Sequence, residues 1–421
     1  MAQFTGEKWR NQIVFLSLSL LGAGISISVS LVVFFKYLLF TVFLFTIRGM
    51  KIKPYFRDPL FLLVSLYSLF AITSCFTSVI FESSTGHLQT FIENYLVFFV
   101  GYSLSAENRI EERALVRIIL IMAVFFVLQM AYIIFAHFTK INLVSLNGWI
   151  YLAPSDYFGR QSGTFDYPAF NAALFCLITP MFYYLWKKLN WKMSLKRMVI
   201  SGMVIISLLG LYYIRSTGAA AGLFAGLFFF LTIKLMQKIG VTKGWIISSI
   251  LAVLMVVVLV FSFSSLPEKT RKGLIYRYEM ARGSYDLGYY RPLFGSGPNT
   301  FHLQYKGLVK SYPEKYSYFS ERWHHAHNTV MNTLAESGFP AAFTLLFFWI
   351  VLIIKSAIRF YRENHTESIL LSISLLMILI YSLSDEILNM KPGATLFWMI
   401  AGIFIPLCFR PSSQKQSQKK E

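Results

Sequence analysis

Ser264-Ser265-Leu266-Pro267-Glu268-Lys269-Thr270-Arg271-Lys272 opens a polar segment that runs to Pro340, the one long interruption in an otherwise membrane-length hydrophobic sequence. Apolar runs at 244–263 and 339–358 close it on both sides. Each is about the 20 residues a helix needs to cross a bilayer, so the segment is expected to be a loop held at a membrane surface. Into it fall four of the seven histidines, His302, His324, His325 and His327, with Arg277, Arg282 and the turn Arg291-Pro292-Leu293-Phe294-Gly295-Ser296-Gly297. The run His324-His325-Ala326-His327-Asn328 then leads into Leu334-Ala335-Glu336-Ser337-Gly338.

Outward from this loop the chain is apolar. Of its 421 residues 56% are hydrophobic and only 14% charged, against roughly a quarter charged in soluble proteins. Further apolar runs lie near 13–29, 31–47, 59–81, 88–104, 115–137, 164–186, 198–214, 217–236, 368–384 and 393–409. Lipid offers the backbone no hydrogen-bond partner, so helices are the expected state. The expected fold is therefore an all-α membrane protein, a polytopic bundle of about twelve transmembrane helices forming one domain over residues 1–410. One long outer loop, about 264–338, contains short amphipathic helices, and 411–421 is a disordered cytoplasmic tail. Residues 13–47 read as two spans or as one tilted hairpin around Lys36. Lys8 and Arg10 before an apolar run with no small-residue cleavage site suggest an uncleaved anchor. Cys75, Cys176 and Cys408 lie inside expected spans, as small apolar residues.

Topology accounts for most of the net charge of +19. Counting Lys and Arg on alternate loops places 24 of them at the N-terminal tail, 48–58, 105–117, 187–197, 234–243, 355–367 and the C-terminal tail. By the positive-inside rule those loops and both termini are cytoplasmic; a nucleic-acid partner is not needed. The segment 264–327 breaks the rule, with ten Lys or Arg against five acidic residues. It reads as a solvated basic surface, or as one that attracts phospholipid headgroups or a phosphorylated substrate. Within it, Ile275, Tyr278, Arg282 and Tyr285 recur at helical steps and predict an amphipathic helix over 268–287. Arg277 and Arg282 stand about 140° apart on such a helix, so only one can point into a small site. Asn328–Ser337 predicts a short helix broken by Gly338-Phe339-Pro340, with His327 sharing the face of Val330, Met331 and Leu334 and Glu336 turned away. The tract Ser311–Trp323, with Tyr312, Tyr316, Tyr318, Phe319 and Trp323, reads as an interfacial aromatic belt or a carbohydrate-stacking surface.

Three separated elements together resemble the O-antigen ligase and polymerase superfamily of bacterial membrane glycosyltransferases. They are Gly163-Thr164-Phe165-Asp166-Tyr167-Pro168 opening a span, Arg215 in Ile214-Arg215-Ser216-Thr217-Gly218-Ala219, and the loop with Arg277, Pro292–Gly297, His325-Ala326-His327-Asn328 and Glu336-Ser337-Gly338. The resemblance covers roughly residues 160–345. The sequence departs from the family where Ile214 precedes Arg215 and Ser216 follows it, and where Pro168 is followed by Ala169, with Asn171 two residues further on. The segment 82–88, where ligases often carry a basic residue, offers only His87.

The resemblance implies glycan transfer from a polyprenyl-pyrophosphate carrier to a sugar hydroxyl of a lipid-linked acceptor in surface polysaccharide or lipopolysaccharide biosynthesis. Residue chemistry fits that expectation. Arginine stabilises a diphosphate leaving group by charge-assisted bidentate hydrogen bonds, and the sequence has no Asp-x-Asp pair for a divalent cation. Arg215 and Arg277 are the expected catalytic cations, with Arg160, Arg282 and Arg291 in substrate binding beside His325 and Asn328. A neutral imidazole, His327, is the expected base for the acceptor hydroxyl. Arg215 could instead snorkel at the interface and His327 could be a helix cap; His324, His325 and His327 could also ligate a metal, though no fourth ligand stands out. No cofactor is expected. Membrane lipids are expected partners, in a bacterial inner membrane with the loop on the outer face. A polymerase of the same superfamily and, more distantly, a secondary transporter are the competing functions.

Overall fold

The computed structural model describes residues 2–47, 53–146, 149–154, 156–157, 160–165, 167–263, 268–316, 325–388 and 390–409. The chain begins with α1 (Ala2–Ile25), α2 (Val29–Thr46), a 3-10 turn (Lys53–Arg57), α3 (Pro59–Phe76), α4 (Phe81–Ala106) and α5 (Glu112–Thr139). Two strand pairs follow, β1 (Ile141–Leu146) with β2 (Trp149–Pro154) and β3 (Asp156–Tyr157) with β4 (Arg160–Gln161), both antiparallel. Then come α6 (Pro168–Lys188), α7 (Met193–Ile214), α8 (Thr217–Ile239), α9 (Val241–Phe263), α10 (Glu268–Tyr290), α11 (Phe301–Ser311), α12 (Thr329–Glu363), α13 (Thr366–Ser382) and α14 (Lys391–Phe409).

Each expected apolar run is taken up by its own helix, α1–α9 and α12–α14. Among the described residues eight, α2, α3, α5, α6, α7, α8, α12 and α14, are by themselves long and apolar enough to cross a membrane. Shorter apolar stretches lie in α1, α9 and α13, while α4 carries Glu82 and Glu93 among its apolar residues. The stretch 13–47 is two helices joined by Ser26, Ile27 and Ser28, and Ser28 caps the second. α14 and α6 are buried nearly all round, whereas α2 and α8 keep broad exposed faces. This is a polytopic helical bundle with α6 and α14 at its centre.

The all-α expectation needs one correction, at 141–161. Ile141, Leu143, Val144, Trp149, Ile150 and Tyr151 are β-branched, leucine or aromatic, and the β-formers among them favour a pleated pair over a short helix. An Asn-Gly dipeptide, a strong hairpin signal in any sequence, divides them.

A charged pair lies inside the bundle. Lys36 and Glu93 are both buried and paired, tying α2 to α4. Tyr37 Oη and Gln89 Nε2 each donate to Glu93 Oε1 at 2.7 Å. Removing one partner of a buried pair strands the other charge, which costs roughly 3–5 kcal/mol. Glu93→Ala is therefore expected to lower the thermal unfolding midpoint in detergent sharply. Lys36→Met combined with Glu93→Leu should restore most of it.

Candidate active site

α7 ends at Ile214, and a single residue, Arg215, turns the chain before Ser216 caps α8 through its hydroxyl. Arg215 takes the left-handed conformation (φ 53°, ψ 44°) that lets its N–H reach Leu211 O at 3.1 Å. Six non-glycine residues among those described have positive φ, Arg215 and His327 (φ 48°) among them. Such backbone is costly for residues other than glycine, asparagine and aspartate, and both side chains are thereby held on fixed turns. His327 precedes α12, which corrects the expectation that it shares a helix face with Val330, Met331 and Leu334. Asn328 is the cap, accepting Met331 N at 3.0 Å.

Close packing brings the Arg215 turn to the loop after α13. A Cβ on Gly218 would stand 1.9 Å from Ser384 Oγ and 3.1 Å from the Tyr381 ring, so only glycine lets α8 approach there. Next to Ser384, Asp385 faces His327, with Oδ1 3.4 Å from Nδ1. Both are largely buried, their side chains 10% and 17% exposed. Asp385 is itself held: Tyr381 Oη donates to Oδ2 at 3.3 Å and to Ala169 O at 2.9 Å, and Thr329 Oγ1 donates to the Asp385 carbonyl at 3.2 Å. The start of α6, the α7–α8 turn, the loop after α13 and the entry to α12 thus meet at one corner.

The first motif supports this corner from below. Gly163 (φ 63°) lies against Gln129 of α5, Thr164 Oγ1 donates to Gln129 Oε1 at 3.0 Å, and Asn171 Nδ2 donates to Ser162 O at 2.5 Å. Asn171, displaced from the family's position, bonds back to the motif.

The turn Pro292–Gly297 is locked to the break in α12. Ser296 N donates to Ala335 O and Gly297 N to Glu336 O, each at 2.9 Å, while Phe339 N donates to Pro292 O at 2.8 Å. Gly338 breaks the helix as expected (φ 84°, ψ 173°). Glu336, buried, accepts Phe301 N at 3.1 Å from the start of α11 and Asn332 Nδ2 at 3.0 Å; Asn332 Oδ1 in turn accepts Ala326 N at 3.1 Å. Glu336 is linked to the His327 turn through Asn332, in keeping with its expected orientation away from the imidazole.

α10 places Arg277 half-buried and Arg282 on its exposed side, and Arg291 is exposed at the turn after it. Arg160 lies in β4, paired with Tyr157. His325 is half-buried next to buried Ala326. Among the described residues no group of three or more His, Cys, Asp or Glu is placed to hold a metal ion; His324 lies outside them, as do Tyr318, Phe319, Trp323, Asp166 and the 411–421 tail.

α10 is tied to the turn after α11 through Asp286, which pairs with Lys315 and accepts the Tyr316 hydroxyl. Burial alone would raise this carboxyl, but the two hydrogen bonds and the charges of Lys315 and Arg282 outweigh it and hold it below the usual carboxylate range. A depressed folded value means the tie contributes stability above about pH 4 and loses it as pH falls through the folded value. The protection of amides around Asp286 and Tyr316, corrected for intrinsic exchange, is expected to fall in acid and to be insensitive to pH near neutrality.

Sequence reasoning passed over Asp385, Tyr381 and Asn332. A Ser-Asp-Glu run in a short loop at a span end was the available signal for the first. No curated protein matches the chain. Residues 202–346 match the family model described as O-antigen ligase. That segment holds Arg215, α10, the Pro292–Gly297 turn, His327 and Glu336-Ser337-Gly338, while Asp385 lies beyond it. Over this stretch, and no further, the chain is similar to the O-antigen ligase family, in keeping with the resemblance its motifs carry.

Proposed function

We propose that the chain is a twelve-span glycosyltransferase with both termini cytoplasmic and its site on the outer face. It transfers a glycan from a polyprenyl-pyrophosphate carrier to a sugar hydroxyl of a lipid-linked acceptor, as a ligase, without a metal. The observation that carries this reading is the His327–Asp385 pair packed beside the Arg215 turn. Asp385 faces Nδ1 of His327 and supports the imidazolium that forms as the ring takes the acceptor proton. The acceptor oxygen then bonds to the anomeric carbon as the bond to the phosphate oxygen breaks. The leaving electron pair goes to the diphosphate, whose growing charge Arg215 stabilises, with Arg277 as the second cation and Arg160, Arg291, His325 and Asn328 binding substrate; Arg282, about 140° from Arg277 on α10 and exposed, stays outside the site. Backside attack inverts the anomeric centre.

The test is reconstitution with a polyprenyl-pyrophosphate glycan and EDTA, offering lipid A core and a second carrier-linked glycan separately. Inverted product on lipid A core that disappears with His327→Ala and Arg215→Ala is expected. Product only on the carrier would make the chain a polymerase; no product with either, beside solute uptake into vesicles, would mean a transporter.

A further inference from the structure

α10 carries a face that the transfer reaction does not use. With Tyr278 as origin and 100° per residue, Arg271, Leu274, Arg282, Tyr285 and Tyr289 fall within about 40° of it. Met280, Gly283, Ser284 and Leu287 take the opposite side and are buried. The outward stripe is about 27 Å long at 1.5 Å per residue. It is apolar where a water-facing helix would be polar: Tyr278 and Tyr289 are each 70% exposed and Tyr285 51%. Its only charges are two arginines. Of the carboxylates on α10, Asp286 is taken by Lys315 and Tyr316 and Glu268 pairs with Lys272.

The stripe is continuous with a lipid-facing surface. The Tyr285 ring meets Phe339 edge-on at 6.0 Å, and Phe339 stacks on Phe343 at 6.0 Å. From Phe343 a row of exposed side chains, Phe347, Ile350 and Ile354, runs down α12 at helical spacing. In a membrane bundle such a row faces hydrocarbon, and α10 meets its Phe343 end through Tyr285 and Phe339. Tyrosine bodies settle at that level, with their hydroxyls toward headgroups, and arginines on an interfacial helix reach lipid phosphates.

We propose that α10 is an interfacial helix that grips anionic phospholipid headgroups through Arg271 and Arg282, with Tyr278, Tyr285 and Tyr289 seated among them. The surface thereby anchors the Pro292–Gly297 turn at a fixed depth over the site.

The test uses the full chain, labelled with nitrobenzoxadiazole at Tyr278→Cys, in vesicles of phosphatidylcholine alone or mixed with phosphatidylglycerol. Quenchers are headgroup-level nitroxide lipids of each class and aqueous iodide. Nitroxide lipids are expected to quench more strongly than iodide. Two basic residues at about 1 kcal/mol each give phosphatidylglycerol a preference of about 30-fold, which R271A/R282A should bring close to one. Both arginines are exposed, so the variant is expected to fold. A label at Tyr289→Cys gives the same readout should Tyr278→Cys misfold. Stronger quenching by iodide than by lipid overturns the proposal. So does equal quenching by the two lipid classes, or protection of the label by a soluble glycan alone, which would make the stripe a carbohydrate surface. No outcome depends on glycan transfer, so failure here and failure of the transferase reading are separable.

Discussion

Replacing His327 by alanine is expected to lower the rate of glycan transfer by about 10²- to 10⁴-fold, the usual contribution of a positioned general base. The loss should appear in the chemical step, with donor binding unchanged, because the imidazole receives a proton only as the acceptor hydroxyl attacks. Single-turnover transfer and donor binding, measured on the same preparation, separate the two. Asp385→Asn preserves shape and the bond from Tyr381 but removes the charge that orients and supports the imidazolium. Groups that orient a histidine from behind are worth about 10- to 100-fold, so this variant should fall between wild type and His327→Ala. If Asp385→Asn matched wild type while His327→Ala were inactive, the pair would be a packing contact. If both matched wild type, the base would lie elsewhere and His327 would be a packing histidine.

The span pattern was legible because hydropathy alone dictates it: each of the twelve apolar runs became one helix, and the break at Gly338-Phe339-Pro340 fell where glycine and proline put it. Arg215 was legible as a residue between two apolar runs. Its company was not. The link from Arg215 to His327 passes through Gly218, Ser384 and Asp385, and no local pattern encodes which span end a glycine will touch. Lys36 and Glu93 were hidden for a related reason, since hydropathy averages over a window and lets one buried pair pass. The 141–161 hairpins were misjudged because loop polarity was read before strand propensity. The placement of His327 on a helix face failed by one residue, as element boundaries do when the cap geometry is unseen.

Gly295→Ala is expected to be the most damaging small substitution in the loop. Gly295 sits at φ 65°, and a Cβ there would lie 2.4 Å from Glu336 C, 2.5 Å from its carbonyl oxygen and 2.5 Å from Ser337 N. All three are backbone atoms of the broken helix, so no side chain can swing aside. The left-handed conformation costs an alanine about 1–2 kcal/mol. The larger effect follows from withdrawal of the turn, which unpairs the Ser296 and Gly297 amides, each buried and each costing about 1–3 kcal/mol when left unsatisfied. Together these amount to about 3–8 kcal/mol, comparable with the whole stability of many domains. Gly273→Ala supplies the control, because a Cβ there meets nothing within 4 Å and should stabilise α10 by roughly 0.5–1 kcal/mol. Unfolding midpoints in detergent and amide exchange at Ser296 and Gly297 read the two. Should Gly295→Ala melt like wild type with those amides still protected, the turn would not be what holds α10 and α11 to the break in α12. The loop would then owe its position to the Asp286–Lys315 tie and to lipid contact along α10.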